Sequence, residues 1–339
     1  VNKIIEEDFR YIYSILPLWY REEIKNKKIL ITGAAGMLAS YFVLFLLYSG
    51  AIVYGMVRNI DYANKLYYNN MNLYLIEHDV KLPFPDDIKN IDYVFHMASK
   101  ASKKAYESDA IDITTTNYMG MYNCLKFAEE DKCKKVIYIS AGEIYGFLEE
   151  NNLPLKESLY GGIDPLSIRA CYGESKKAAE NLCYIYSKQR GVNTSIGRLF
   201  HTYGPGLREN DDRIFSKVIL GMLCKKDIVI NNNGNDTRGF LYLSDMVTGF
   251  MKILFNGCQG DAYNIGSSIE VSIKEFVYAA LKACPCKGSN IIINSEGDDS
   301  PMSRIFPDTT KLEGLGWSQT VPLEKSLDKT FAYHMEGLI

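Results

Sequence analysis

The 339 residues suit one large domain or two interlocked ones, and an apolar share of 47% is ample for a core. A net charge of −3 leaves no global basic field for nucleic acid or an anionic membrane surface. No apolar run reaches the roughly 18 residues a membrane span needs, and no secretory signal opens the sequence, so a cytoplasmic protein is expected. The eight cysteines lack paired metal spacing. Cys284-Pro285-Cys286 fits neither a zinc knuckle nor a redox pair, so reduced thiols and no metal site are expected.

In chain order, residues 1–26 read as a helical extension with apolar Ile4, Ile5, Phe9, Tyr11, Ile12 and Ile15. Ile29 to Ile31 read as a buried parallel strand, followed at once by Gly33 and Gly36 and then by an apolar helix over 37–49. Strand, glycine turn and helix N-terminus make a phosphate-binding device: small residues admit the pyrophosphate and the helix dipole favours the anion. Further strands are predicted over 51–57, 73–76, 93–97, 135–140 and 194–198, with a long helix over 113–130 and another carrying Tyr172. The alternation predicts an α/β fold, a doubly wound parallel sheet of Rossmann type over 27–200. Residues 201–339 are expected to form mainly a smaller mixed α/β substrate lobe, with some segments returning to the core. That part carries a Gly/Asn-rich loop at 231–235 and an acidic, serine-bearing turn at 296–300.

Tyr172-Gly173-Glu174-Ser175-Lys176 sets a phenol and an ammonium one helical turn apart. A free phenol, with a pKa of about 10, is a poor proton acceptor at neutral pH; a nearby ammonium favours the phenolate. Such a group can take the proton of a sugar or alcohol hydroxyl while a hydride leaves the same carbon. With 25 tyrosines in the chain the pair alone is weak evidence, and the upstream glycine loop gives it weight.

Several blocks then resemble the extended short-chain dehydrogenases/reductases of the nucleotide-sugar epimerase/dehydratase type. They are 32–36, His96-Met97-Ala98-Ser99, 140–146, 172–176, 198–205 and Thr237-Arg238-Gly239-Phe240. Ala98-Ser99-Lys100-Ala101-Ser102, Arg169-Ala170-Cys171-Tyr172 and Asp212-Arg213 are most similar to UDP-glucuronate decarboxylases. The resemblance implies that Gly33, Gly36, Met37 and Leu38 hold the pyrophosphate of NAD or NADP, and that Asp79 and Val80 flank its adenine. It implies that Ala98 and Ser99 line the nicotinamide-side ribose, that Tyr172 is the acid/base at the sugar C4 hydroxyl, and that Lys176 binds the ribose and tunes Tyr172. Arg238 and Arg304 resemble the arginines that clamp the nucleotide-sugar pyrophosphate, and guanidinium forks suit phosphate. Arg213 joins them as a candidate. Each of these arginines is alternatively a solvated surface charge.

The departures from the family pattern carry as much information. Arg58 stands 25 residues past Gly33, where an acidic residue would bind the adenosine ribose of NAD; an arginine there can neutralise the 2′-phosphate of NADP or lie flat over adenine. Ala141 replaces the usual serine or threonine that helps Tyr172 hold the sugar oxygen. Ser140, one residue away and on the other face of a strand, or a water, is the candidate to take over. Gly142-Glu143 replaces the Asp-Glu pair of 4,6-dehydratases, so the acid is missing, the base Glu143 is kept and dehydration is not expected. His201 replaces a usual asparagine, either as a ligand donor or as a packed residue.

The expectation is an NAD(P)-dependent enzyme acting at C4 of a nucleoside-diphosphate sugar through a 4-keto species, as 4-epimerase or 4-ketoreductase. UDP-glucuronate decarboxylation is the alternative, and a dinucleotide-binding sensor or scaffold is an alternative of another class. The resemblance also implies a homodimer, with no nucleic acid or membrane partner.

Overall fold

Each strand of the central sheet is a short run of β-branched and aromatic residues whose alternate members enter two different cores. A computed structural model describes residues 2–67, 70–149, 152–294 and 303–336; the turn at 296–300 lies outside them. Strands β1 (Lys28–Thr32), β2 (Ile52–Val57), β3 (Leu73–Glu77), β4 (Tyr93–His96), β5 (Lys135–Ala141) and β6 (Thr194–Leu199) are joined by a seventh, Asp261–Ile265. The sheet order is Asp261–Ile265, β6, β5, β4, β1, β2, β3, and every pairing is parallel. Ile29, Ile31, Phe95, Ile137 and Ile139 join one core with helices Met37–Tyr48 and Leu243–Asn256. Leu30, Val94, Val136 and Tyr138 join the other, with Met121, Cys124 and Leu125 of helix Ala110–Glu130 and Ala179 and Cys183 of helix Ala170–Gln189. Covering both faces in this way is what an all-parallel sheet requires.

β1 lies between β2 and β4, so the chain order reverses there. Loops after β1 and β4 open a crevice at such a switch point, where ligands of these sheets bind. The seventh strand was not among the strands predicted, because Asp261-Ala262-Tyr263-Asn264-Ile265 shows neither a continuous apolar run nor clean alternation.

The N-terminal extension comprises helices Lys3–Ile15 and Leu18–Ile24 and is built into the core. Phe9 packs edge-on against Tyr41 and Phe45. Asp8, 1% exposed, accepts from Tyr41 Oη at 2.8 Å, Tyr242 Oη at 2.7 Å and Lys329 Nζ at 2.5 Å. One carboxylate thus ties the extension to the glycine-loop helix, to the short strand Leu241–Tyr242 and to helix Leu323–Glu336.

The C-terminal lobe has its own core, in which Tyr203, Phe215, Phe240 and Phe276 meet. Its helix Ile273–Ala283 opens with a capping box between Ser272 and Glu275. The Gly/Asn-rich loop forms a single turn, Asn232–Gly234, with Asn233 at φ 55°. Short strands Val271–Ser272, Thr237–Arg238 and Arg304–Ile305 make a small sheet in that order. Among the described residues no helix is long and apolar enough to cross a membrane, and no group of three His, Cys, Asp or Glu side chains is placed to hold a metal ion.

Candidate active site

The glycine loop crosses the switch-point crevice under tight steric control. Gly33 adopts φ +66°, and a Cβ there would lie 2.6 Å from the Ala98 Cα of the loop after β4. Only glycine meets both demands. Gly36 caps helix Met37–Tyr48, and its N–H bonds the Gly33 carbonyl at 2.8 Å, closing the turn. The Met37 side chain is buried in the lobe's core, and Leu38 packs where two cores meet, so what these residues can present to an anion is the backbone of the first helical turn. A cradle that a side chain at residue 33 would fill, ending on a helix N-terminus, fits a dinucleotide pyrophosphate.

Tyr172 and Lys176 lie in the first turns of helix Ala170–Gln189, and both are buried. Lys176 Nζ donates to the Ile139 carbonyl at 2.7 Å and stands 5.7 Å from the Tyr172 ring centroid. Burial pushes the Lys176 ammonium down to about 7, against the Glu180 carboxylate, which raises it. Burial also pushes the Tyr172 phenol up, Glu143 adds to this, and Arg213 opposes it. The polypeptide by itself therefore keeps Tyr172 protonated at neutral pH. The lysine does not bring it near neutrality, because both groups are withdrawn from water.

Ala141 packs against Tyr172, Tyr106 and Ile113. Ser140 is 2% exposed, and its Oγ is buried without a hydrogen-bond partner among the described residues. Strand alternation turns it to the face opposite Ala141. The structure does not bring Ser140 to the phenol. Ser99, after β4, donates to Asn117 Oδ1 at 2.7 Å, and its hydroxyl pulls the Tyr172 phenol down, against the larger effect of burial.

Glu143 lies in a 3-10 turn, Gly142–Tyr145, at the end of β5. It accepts from Tyr106 Oη at 3.4 Å and stands 4.0 Å from the Arg169 guanidinium. Tyr106 in turn leans on Tyr172, with ring centroids 5.3 Å apart. A Cβ on Gly142 would lie 2.7 Å from the Phe200 ring, so that ring fills the space an aspartate would need. Sequence reasoning missed Tyr106, Asn117 and Arg169 as site residues. Neither Asn117 nor Tyr106 left a signal in the sequence, because their places depend on packing against residues far along the chain; Asn117 is 0% exposed only in the fold.

In the lobe, Arg238 is part-buried; its Nη1 donates to the Thr237 carbonyl at 2.7 Å and the Ser303 carbonyl at 2.9 Å, and its Nη2 stands 3.6 Å from Asp236. His201 is pushed down to about 3 by burial and by Arg238 and Arg213, so it is neutral. Its Nδ1 is buried without a partner among the described residues, which suits a hydrogen bond to a ligand as well as a packed role. Arg213 makes a bidentate pair with Asp211, at 2.9 Å from Nε to Oδ1 and 2.6 Å from Nη2 to Oδ2. Arg304 makes another with Glu270, at 2.6 Å and 2.7 Å. Arg304 pairs in register with Thr237, and Thr237 also donates to Glu270. Arg304 and Thr237 therefore share a face of the small sheet, whereas Arg238 neighbours His201. The two arginines expected to form one clamp are not set side by side.

At the adenosine end, Arg58 follows β2 and bonds Asp112 at 3.0 Å; Asp112 also takes Lys81 at 2.6 Å and Lys100 at 3.1 Å. Burial pushes the Asp112 carboxyl up, but hydrogen bonds from Lys81, Lys100 and Arg58 outweigh it and hold it well below the usual carboxylate range. Arg58 is an exposed charge paired with Asp112, so a phosphate would meet it in competition with that carboxylate. Asp79 accepts from the Lys81 N–H at 3.0 Å, and the Val80 carbonyl accepts from Asn123 at 2.8 Å, which fixes the loop after β3.

Residues 29–266 match the model of the NAD dependent epimerase/dehydratase family. Over 342 aligned residues the chain is 34% identical to UDP-glucuronic acid decarboxylase 1 of Xenopus tropicalis, covering 98% of this chain and 78% of that protein. UDP-glucuronic acid decarboxylase 6 of Arabidopsis thaliana is 31% identical, over 89% of this chain and 87% of that protein. Among solved structures, a UDP-glucuronic acid 4-epimerase from Bacillus cereus, in complex with UDP-glucuronic acid and NAD, superposes with a TM-score of 0.76 at 27% identity. It covers 92% of this chain and 100% of that one.

Proposed function

The chain belongs to the NAD-dependent epimerase/dehydratase family, enzymes of nucleotide-sugar chemistry, and we propose that it oxidises C4 of a UDP-uronic acid and then releases the C6 carboxylate. Relatives across nearly the whole chain are UDP-glucuronic acid decarboxylases, and a structural neighbour holds UDP-glucuronic acid. Gly33, Gly36 and the first turn after them would hold the cofactor, with Lys176 at its ribose. Bound there, NAD supplies the hydride acceptor at C4; Arg58 supports tolerance of NADP as well.

The single observation that carries the reading is Tyr172, buried beside Lys176 at the switch-point crevice with Glu143 close by. The polypeptide alone keeps the phenol protonated, and the positive charge of bound NAD would favour the phenolate; in that form Tyr172 takes the C4 hydroxyl proton. The resulting ketone is β to the C6 carboxylate, so the C5–C6 electron pair can pass into the C4 carbonyl as carbon dioxide leaves. Tyr172 then returns its proton to that oxygen. Arg238 and His201 would face the nucleotide-sugar phosphates, with Arg213 and Arg304 contributing if they exchange or share their carboxylates. Arg169, 4.0 Å from Glu143, is the cation we assign to the sugar carboxylate.

The Phe200 ring against Gly142 speaks against 4,6-dehydration, since no acid can be accommodated at that residue. The 4-epimerase reading remains second, because it needs little beyond Tyr172 and Lys176. Incubation with UDP-glucuronic acid and NAD, followed by mass spectrometry, tests the choice. Loss of carbon dioxide is expected, and Glu143→Gln should impair it. An isomer of unchanged mass means epimerisation, and loss of water means dehydration; either overturns the decarboxylase reading.

A further inference from the structure

We propose that Asp112 determines cofactor specificity: its carboxylate gathers the cations that a 2′-phosphate would use, and so turns the adenosine end of the crevice toward NAD and away from NADP. The proposal rests on the reading that the cradle at Gly33 and Gly36 holds a dinucleotide. Its ground is a convergence of charges from four segments of the chain. Arg58, the residue after β2, donates to Asp112 Oδ2 at 3.0 Å. Lys81, after β3, donates to Asp112 Oδ1 at 2.6 Å. Lys100, after β4, stands 3.1 Å from Asp112 Oδ2. Asp112 itself lies in the first turn of helix Ala110–Glu130.

The end of the second strand of a Rossmann sheet faces the adenosine ribose, where an acid bonds the 2′-hydroxyl and an arginine receives a 2′-phosphate. Arg58 by itself would therefore favour NADP. It does not act by itself. Asp79 stands 3.4 Å from Lys81, and Asp109 accepts from Lys100 at 2.9 Å. Three cations thus meet three carboxylates, and the cluster as a whole is neutral. Among the described residues Asp112 is the carboxylate that all three cations share. A phosphate drawing on this cluster must displace it, and the displaced carboxylate loses three ion pairs at once. The ribose hydroxyl of NAD needs no cation and leaves the network intact.

Removing the charge at residue 112 leaves three cations against two carboxylates, with the Arg58 guanidinium released. A planar fork beside two ammonium groups suits a phosphate dianion. An acid in the first turn of a helix also favours the helix dipole. That effect acts on the helix and would touch NAD and NADP alike, so the two roles separate in one measurement.

Calorimetric Kd values for NAD and NADP on the full chain, with no sugar present, test the proposal. The unaltered chain should bind NAD at least about 10-fold more tightly than NADP. Asp112→Asn, which keeps the size of the side chain and removes its charge, should tighten NADP by roughly 10-fold or more and leave NAD within about 3-fold. Adding Arg58→Gln should remove most of that gain. Raising the salt from about 0.05 M to about 0.5 M should shrink it, because Arg58 is exposed and its charge is screened. An unaltered chain that binds NADP as tightly as NAD overturns the proposal whether or not the variant folds. So does an Asp112→Asn chain in which both cofactors shift alike, or a gain that survives Arg58→Gln in full. If neither dinucleotide binds, the cradle reading itself falls and the proposal with it; NAD binding without the preference defeats the proposal alone.

Discussion

The cofactor half and the substrate lobe hold their polar groups in different ways. Around the glycine loop and Tyr172 in the cofactor half the groups are fixed by backbone: Gly33 lies against Ala98, Lys176 on the Ile139 carbonyl, and Ser175 on the Cys171 carbonyl. In the lobe, Arg213 and Arg304 are held by the carboxylates of Asp211 and Glu270. A backbone carbonyl cannot move without disturbing a strand or helix, whereas a carboxylate can rotate away when a pyrophosphate competes for its guanidinium. Around that loop the cofactor half is preorganised, and the lobe is arranged for exchange of ion pairs. Arg238 combines the two modes, with Nη1 on two carbonyls and Nη2 at 3.6 Å from the Asp236 carboxylate.

The largest expected effect breaks the chemistry and leaves both halves standing. Tyr172→Phe should lower turnover of UDP-glucuronic acid by roughly 10²-fold to 10⁴-fold. NAD affinity, measured by calorimetry, should stay within a few-fold, since the cradle around Gly33 does not involve the phenol.

An intermediate effect should separate the halves. Arg238→Gln should raise KM for the nucleotide sugar by roughly 10-fold to 10²-fold through loss of charge-assisted hydrogen bonds, and leave NAD binding unchanged. A matching loss of NAD affinity would mean that Arg238 supports the cofactor cleft instead.

The smallest effect compares one buried histidine from each half. Burial pushes His96, in β4, and His201, in the lobe, down to about 3. The unfolded chain therefore binds more protons than the folded one between about pH 3 and about pH 6.5, and stability falls as pH drops through that window. Each group contributes up to about 1.4 kcal/mol per pH unit there. Urea midpoints at neutral and mildly acidic pH should converge in His96→Asn and in His201→Asn. Flattening in only one of them would show that the other imidazole reaches water.

The sequence by itself determined the parts that are local in the chain. Gly33 and Gly36 stand between an apolar strand and an apolar helix, and Tyr172 and Lys176 are one turn apart, so both features follow from the backbone period. Gly142 in place of an acid is likewise legible from one residue. Tertiary structure decided the rest. Asp8 meets Tyr242 and Lys329 from the far end of the chain, which turns an apparent extension into core. Glu270 meets Arg304 across 34 residues of separation, on the face of the small sheet that Arg304 shares with Thr237. Ser99, Asn117 and Ser175 meet from three elements in one run of hydrogen bonds. Hydrogen-bond direction depends on which donors and acceptors are buried together, and no spacing in the sequence records that.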